Sequence, residues 1–178
     1  ENIGTFSVKS GVKTTFDAKI IGNSIITAKN GLMVDDIIVK VSGGAINYLV
    51  IHDQDSKTIN DVTLTTDSSF ILISGAYDSD SNFLGDTSVT WGITGDLLPS
   101  DFGVQSGAQT TFSPSKAGSN GYLTAAFNSD IKDSTGFIKV INPPIITYVT
   151  GSMKPKTISS SSKPEFELHV NNIGDVGV

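Results

Sequence analysis

Four oxygen-bearing side chains recur at short spacing near the middle of this 178-residue chain: Asp78, Asp80, Asn82 and Asp86. Short carboxylates at alternate positions of a turning loop can converge on one calcium ion, which takes roughly six to eight oxygens at about 2.4 Å. An EF-hand loop requires glycine at its sixth position and glutamate at its twelfth; Phe83 and Val89 stand there instead. The same residues suit an Asx-rich turn, whose side-chain oxygens accept backbone N–H bonds and need no ion. Two readings follow, a calcium site at Asp78, Asp80, Asn82 and Asp86 or a tight acidic bend. Asp35, Asp36, Asp53 and Asp55 form two lesser acidic clusters, which read as solvated turn residues.

Other chemistry is sparse. The only histidines, His52 and His169, lie far apart in the chain, and neither has a second histidine or a cysteine nearby to share a zinc ion. No nucleophile-elbow motif frames any of the many serines. No catalytic site is expected, and the chain reads as a non-enzyme. Trp91 with Tyr48, Tyr77, Tyr122 and Tyr148 could stack on sugar rings, but a lone tryptophan on an alternating strand more often plugs a sandwich core. Four consecutive serines from Ser159 read as a loop, and no Asn-x-Ser/Thr sequon is present.

The elements that position these residues are strands. Arginine is absent, glutamate and glutamine are scarce, and Ser, Thr, Val, Ile, Gly and Asp dominate, which suits strands and tight turns. No 12-residue stretch carries apolar residues at helical spacing, so the fold class is all-β. The net charge of −6 disfavours nucleic acid, whose phosphates it would repel. No apolar run approaches the ~20 residues of a membrane-spanning helix. With no cysteine there is no disulfide framework.

An internal repeat organises the chain. Residues 6–22 align with 102–118 without a gap, matching Phe6 to Phe102, Thr14-Thr15-Phe16 to Thr110-Thr111-Phe112 and Gly22 to Gly118. The match continues from 25–28 to 122–125 and ends with 39–41 against 138–140. A period of about 100 residues is one small sandwich. Residues 1–41 then hold the last three strands of a first unit, 42–141 a complete unit, and 142–178 the opening strands of a further β domain. In the complete unit strands are expected at 46–51, at the end of 57–65, and at 70–77, 88–93, 110–113, 122–127 and 137–141. The acidic turn should lie between the strand at 70–77 and the tryptophan-bearing strand.

Several segments carry a family resemblance. They are Ala76-Tyr77-Asp78-Ser79-Asp80-Ser81-Asn82 leading to Ser88-Val89-Thr90-Trp91, Thr110-Thr111-Phe112-Ser113-Pro114 with Ala117-Gly118, and Phe137-Ile138-Lys139-Val140. Residues 1–141 resemble the bacterial and archaeal Ig-like repeats, of invasin or Big type, of large surface proteins; 142–178 do so loosely. The resemblance implies Ig-like β-sandwich repeats in which Trp91 is a core residue. It also implies a non-catalytic structural or adhesive module of an extracellular or cell-surface protein. Its expected partners are neighbouring repeats or other copies of the chain. The opening strands at 142–178 could complete residues 1–41 of the next molecule in a head-to-tail fibre. A carbohydrate-binding or enzyme-associated β module, with surface glycans as partners, is the alternative.

Overall fold

The computed structural model describes residues 2–144, 146–148 and 170–172. Strands carry almost all of its regular structure. In chain order they are β1 (Gly4–Phe6), β2 (Phe16–Ala18), β3 (Gly22–Asn30), β4 (Met33–Val41), β5 (Tyr48–His52), β6 (Val62–Thr65), β7 (Phe70–Tyr77), β8 (Phe83–Asp86) and β9 (Val89–Ile93). They continue with β10 (Ser106–Gly107), β11 (Gln109–Phe112), β12 (Asn120–Gly121), β13 (Leu123–Ala126), β14 (Lys132–Ser134), β15 (Ile138–Ile141), β16 (Ile146–Tyr148) and β17 (Val170–Asn172). Among the described residues the only helical piece is a single 3-10 turn, Pro99–Asp101. The fold is all-β and sandwich-like.

The sheets follow from side-chain alternation. In β7, Leu72, Ser74 and Ala76 point inward and are buried, while Phe70, Ile71, Ile73 and Tyr77 are half-buried. β7 is the centre of one sheet, flanked by β11 and β5, with β8 folded back along its end, all antiparallel. A second antiparallel sheet runs β10-β9-β13-β14. β15 pairs antiparallel with β12 and parallel with β6, which brings distant stretches of the chain side by side.

One core lies among these sheets. Leu49, Ile51, Leu72 and Phe112 enter from the first sheet, Val89, Trp91, Leu123 and Ala125 from the second, and Leu64, Ile138 and Val140 from the third. Trp91 is 3% exposed, and its indole N–H donates to the Gly107 carbonyl at 3.0 Å. Its ring therefore belongs to the core and does not serve as a sugar platform. Gly75, on the opposite face of β7 from the core, leaves room for its neighbours: a Cβ there would press on the His52 ring and on Phe83, each 3.2 Å away.

The strand expectations within 42–141 correspond closely to β5, β6, β7, β9, β11, β13 and β15. One correction concerns the acidic turn. It leads first into β8, which returns along β7, and only then does the chain reach β9. Four short strands, β8, β10, β12 and β14, were not expected. Each is two to four residues long and lacks an extended alternating pattern.

Residues before β5 form four strands where three were expected. β1 pairs with β2, and β3 pairs with β4 over all nine residues of each strand through a turn at Gly31-Leu32. The contacts of residues 6–16 recur at 102–112. Phe6 packs on Phe16 with ring centroids 5.1 Å apart, and Phe102 on Phe112 at 5.4 Å. The Thr14 hydroxyl donates to the Val8 carbonyl, and the Thr110 hydroxyl to the Val104 carbonyl. The Ser7 amide bonds to the Thr15 carbonyl as the Gly103 amide does to that of Thr111. Within 142–178, where the opening strands of a further domain are expected, β16 and β17 pair antiparallel; most of that stretch, His169 and the serine run included, lies outside the described residues.

Candidate functional site

The acidic turn is built around one buried carboxylate. Asp78 follows directly on β7 and is 4% exposed. Its Oδ1 accepts the amides of Asp80 (3.0 Å) and Asn82 (2.9 Å), and its Oδ2 accepts the amide of Gly44 (3.0 Å). The Asn82 side-chain amide donates to both oxygens, at 3.1 and 3.0 Å. These donors favour the charged form. The Gly44 amide contributes most, then the Asn82 side chain, and together the donors outweigh burial and hold the Asp78 carboxyl down at about 2.

The rest of the turn reaches into the preceding segment. The Asn82 side chain donates to the Lys19 carbonyl at 2.9 Å and accepts the Ile21 amide at 3.2 Å. Lys19 pairs with Asp80 at 3.1 Å and with Asp17 at 3.2 Å. Its ammonium pKa is raised, first by the hydrogen bond to Asp80 and then by that to Asp17. The turn thus ties three stretches of chain together: residues 17–21 before the β3–β4 hairpin, Gly44 after it, and the end of β7.

The four candidate calcium ligands are divided by this arrangement. Asp78, Asp80 and Asn82 stay together, each with an oxygen committed to an N–H group. Asp86 sits on β8 opposite Gly75, and its carboxylate faces His52 Nε2 at 3.6 Å. Among the described residues no group of three or more His, Cys, Asp or Glu side chains is arranged to hold a metal ion. The Asp78 oxygens are bonded to backbone and side-chain N–H groups as in an Asx turn.

Beside Asp86 lies an open depression of about 310 Å³ lined by His52, Gln54, Ser56, Ile73, Tyr77, Phe83 and Asp86. His52 is 8% exposed, and its Nδ1 lies 2.8 Å from the Asp53 carbonyl. That carbonyl can only accept, so Nδ1 carries hydrogen and Nε2 is the nitrogen turned toward Asp86. An aromatic row borders the depression. Tyr48 stacks on Tyr77 with centroids 5.2 Å apart and planes 8° from parallel, and Tyr77 meets Phe83 at 5.4 Å. Phe83 is half exposed. Tyr48 and Tyr77 are among the aromatic residues the sequence offers for stacking on sugars; Phe83 and its place beside His52 are not. The signal was available: Phe83 and Asp86 follow a tight turn, and a hairpin return would set them across from Tyr77 and Gly75.

In comparisons with known proteins, no family model, curated protein or solved structure matches the chain. Among the described residues no helix is long and apolar enough to cross a membrane.

Proposed function

We propose that the chain is a structural module of a repetitive extracellular or cell-surface protein, a non-catalytic spacer built from Ig-like units. Residues 42–141 are the whole unit and residues 1–41 a partial one. The strand neighbours of the whole unit support the Ig-like reading. β5, β7 and β11 form one sheet, β9, β13 and β14 lie in the other, β6 runs parallel to β15, and a buried tryptophan sits on β9. The paired contacts at 6–16 and 102–112 support the repeat.

The observation that carries the spacer role is the Asp78–Asn82 clamp. A flexible join would leave residues 19–21 without bonds to the following unit. Here the Lys19 carbonyl and the Ile21 amide are both bonded to Asn82, whose side chain also holds the buried Asp78 carboxylate. A spacer transmits position only if such joins are stiff. Backbone relaxation tests this. Residues 22–41 and 48–141 should share one rotational correlation time in the parent chain, and Asn82→Ala should free the hairpin to tumble faster. Separate tumbling in the parent would refute the role.

A second reading rests on the aromatic row. Tyr48, Tyr77 and Phe83 beside the His52–Asp86 pair offer ring faces and polar groups together, the combination a sugar ring engages. Titration with neutral glycans should shift Phe83 and His52 side-chain resonances, and Tyr77→Ala should abolish those shifts. Unmoved resonances at millimolar glycan would remove this reading.

A further inference from the structure

We infer that one face of the β3–β4 hairpin is a docking surface for a set of extended strands built like β5, β6 and β9. This rests on reading residues 1–41 as a partial unit, and its ground is the fate of equivalent positions in the complete one. In an antiparallel pair, directly opposed residues share a face. The register sets Ile26 across from Ile37, Ser24 from Val39, Gly22 from Val41 and Ala28 from Asp35. That face carries Ile26, Val39 and Val41, which are half-buried in the hairpin, and Ile37, which is 62% exposed. The repeat aligns Ile26 with Leu123, Ala28 with Ala125, Val39 with Ile138 and Val41 with Val140. All four counterparts are fully buried.

The complete unit also shows which strands flank them in the ladder. Trp91 lies opposite Ala125 and Ile93 opposite Leu123 on the antiparallel neighbour β9. Val62 and Leu64 of β6 run parallel beside Ile138 and Val140. Ala125 stands across from Asp133 as Ala28 does from Asp35, and the Asp133 carboxylate accepts the amide of Ile51, on β5, at 2.7 Å. In the hairpin, Asp35 accepts only the adjacent Asp36 amide among the described contacts.

These contacts specify the occupant. One of its strands runs antiparallel to β3 with a large aromatic side chain opposite Ala28. A second runs parallel to β4 with apolar residues beside Val39 and Val41. A third presents an N–H to Asp35. The chain's own Trp91 is already committed, buried and bonded to Gly107, so β9 of a second copy is not free to serve. The occupant is a separate strand set of the same chemistry.

The test joins a second copy of residues 42–96 in front of Glu1, because residue 97 aligns with Glu1 at the 96-residue offset. The added segment should fold onto the hairpin. Amide exchange at Ile26, Ala28 and Val39 should then slow to the rates of their counterparts Leu123, Ala125 and Ile138. Both tryptophans should emit at the short wavelength of a buried indole. Val39→Asp should restore fast exchange in the hairpin and return the added tryptophan to solvent. Ile25→Asp, on the opposite face, should do neither, and Trp91 emission controls for the integrity of residues 42–141 in both variants. An added segment that stays unfolded, protection that survives Val39→Asp, or a parent chain that dimerises through this face would each overturn the inference. The relaxation result in Asn82→Ala is independent of the graft, so failure of the docking surface and failure of the spacer role are told apart.

Discussion

Asp78 shows where the chain's acidity is spent. Its carboxylate accepts three backbone amides and a side-chain amide, and several other aspartates do similar work. Asp53 accepts the amides of Asp55 and Lys57, Asp61 that of Phe137, Asp133 that of Ile51, and Asp101 the Ser115 hydroxyl. Such charge-assisted bonds suit turns and strand ends whose amides have no ladder partner. They explain an acidic surface without invoking an ion, and the thermal stability of the chain should not change when a chelator is added. A pH prediction follows. The folded-state pKa of Asp78 lies near 2, below the ordinary 3.8. A lowered carboxylate stabilises the fold above its unfolded pKa, and that contribution is lost as pH falls through the folded one. Exchange protection at the Gly44, Asp80 and Asn82 amides should therefore fade between about pH 4 and pH 2. Asp78→Asn should lower protection at neutral pH and flatten that dependence, because a carboxamide turns an N–H donor toward amides that need an acceptor. The Lys19 ammonium, with its pKa raised, gives up its proton only in alkali, so its own titration does not contribute to that acid window.

Among the elements, legibility tracked side-chain periodicity. β7 was readable to the residue, since Phe70-Ile-Leu-Ile is a strand-sized apolar run ending at an acidic turn. β9 was readable because Val89 and Trp91 alternate with polar residues. β10, β12 and β14 were not, because their pairing comes from where neighbouring strands pass and not from an apolar pattern of their own. Gly121 on β12 can approach the Thr94 carbonyl only without a side chain, and nothing local in the sequence announces that neighbour. The candidate site divides in the same way. The acidic turn was visible as a run of Asp and Asn, but its grip on Lys19 and Ile21 joins residues about sixty positions apart. The split of Asp86 from Asp78 follows from the antiparallel return of β8, which sets Asp86 across from Gly75 and not beside the turn. The β3–β4 hairpin lacks a two-residue alternation: Ile25-Ile26 and Ile37-Ile38 put apolar residues on both faces, and Ile25, Ile37 and Ile38 are exposed.

At the scale of the whole molecule, residues 42–141 close on themselves through non-local pairing. β6 lies near the start of this unit and β15 at its end, yet they pair in parallel from Val62–Ile138 to Thr65–Ile141. The seam is reinforced outside the ladder, where the Val62 amide bonds to the Phe137 carbonyl and the Gly136 amide to that of Ile59. Ile138 and Val140 are fully buried in the shared core with Trp91 and Leu123. Such a unit gains little until its last strand docks, because the loop entropy of distant contacts opposes folding before those contacts form. The seam should therefore behave as a single cooperative closure and not as a detachable edge. Val140→Ala removes two buried methyl groups and should cost about 1–3 kcal/mol, a sizeable part of the roughly 5–15 kcal/mol that holds a domain together. A chain ending at residue 134 removes β15 altogether. It should show no cooperative thermal transition, and its Trp91 emission should move to the wavelength of a solvated indole even though β9 and β13 are intact. If Trp91 stayed buried in that truncated chain, the parallel seam would be an accessory to the sandwich rather than the contact that completes it.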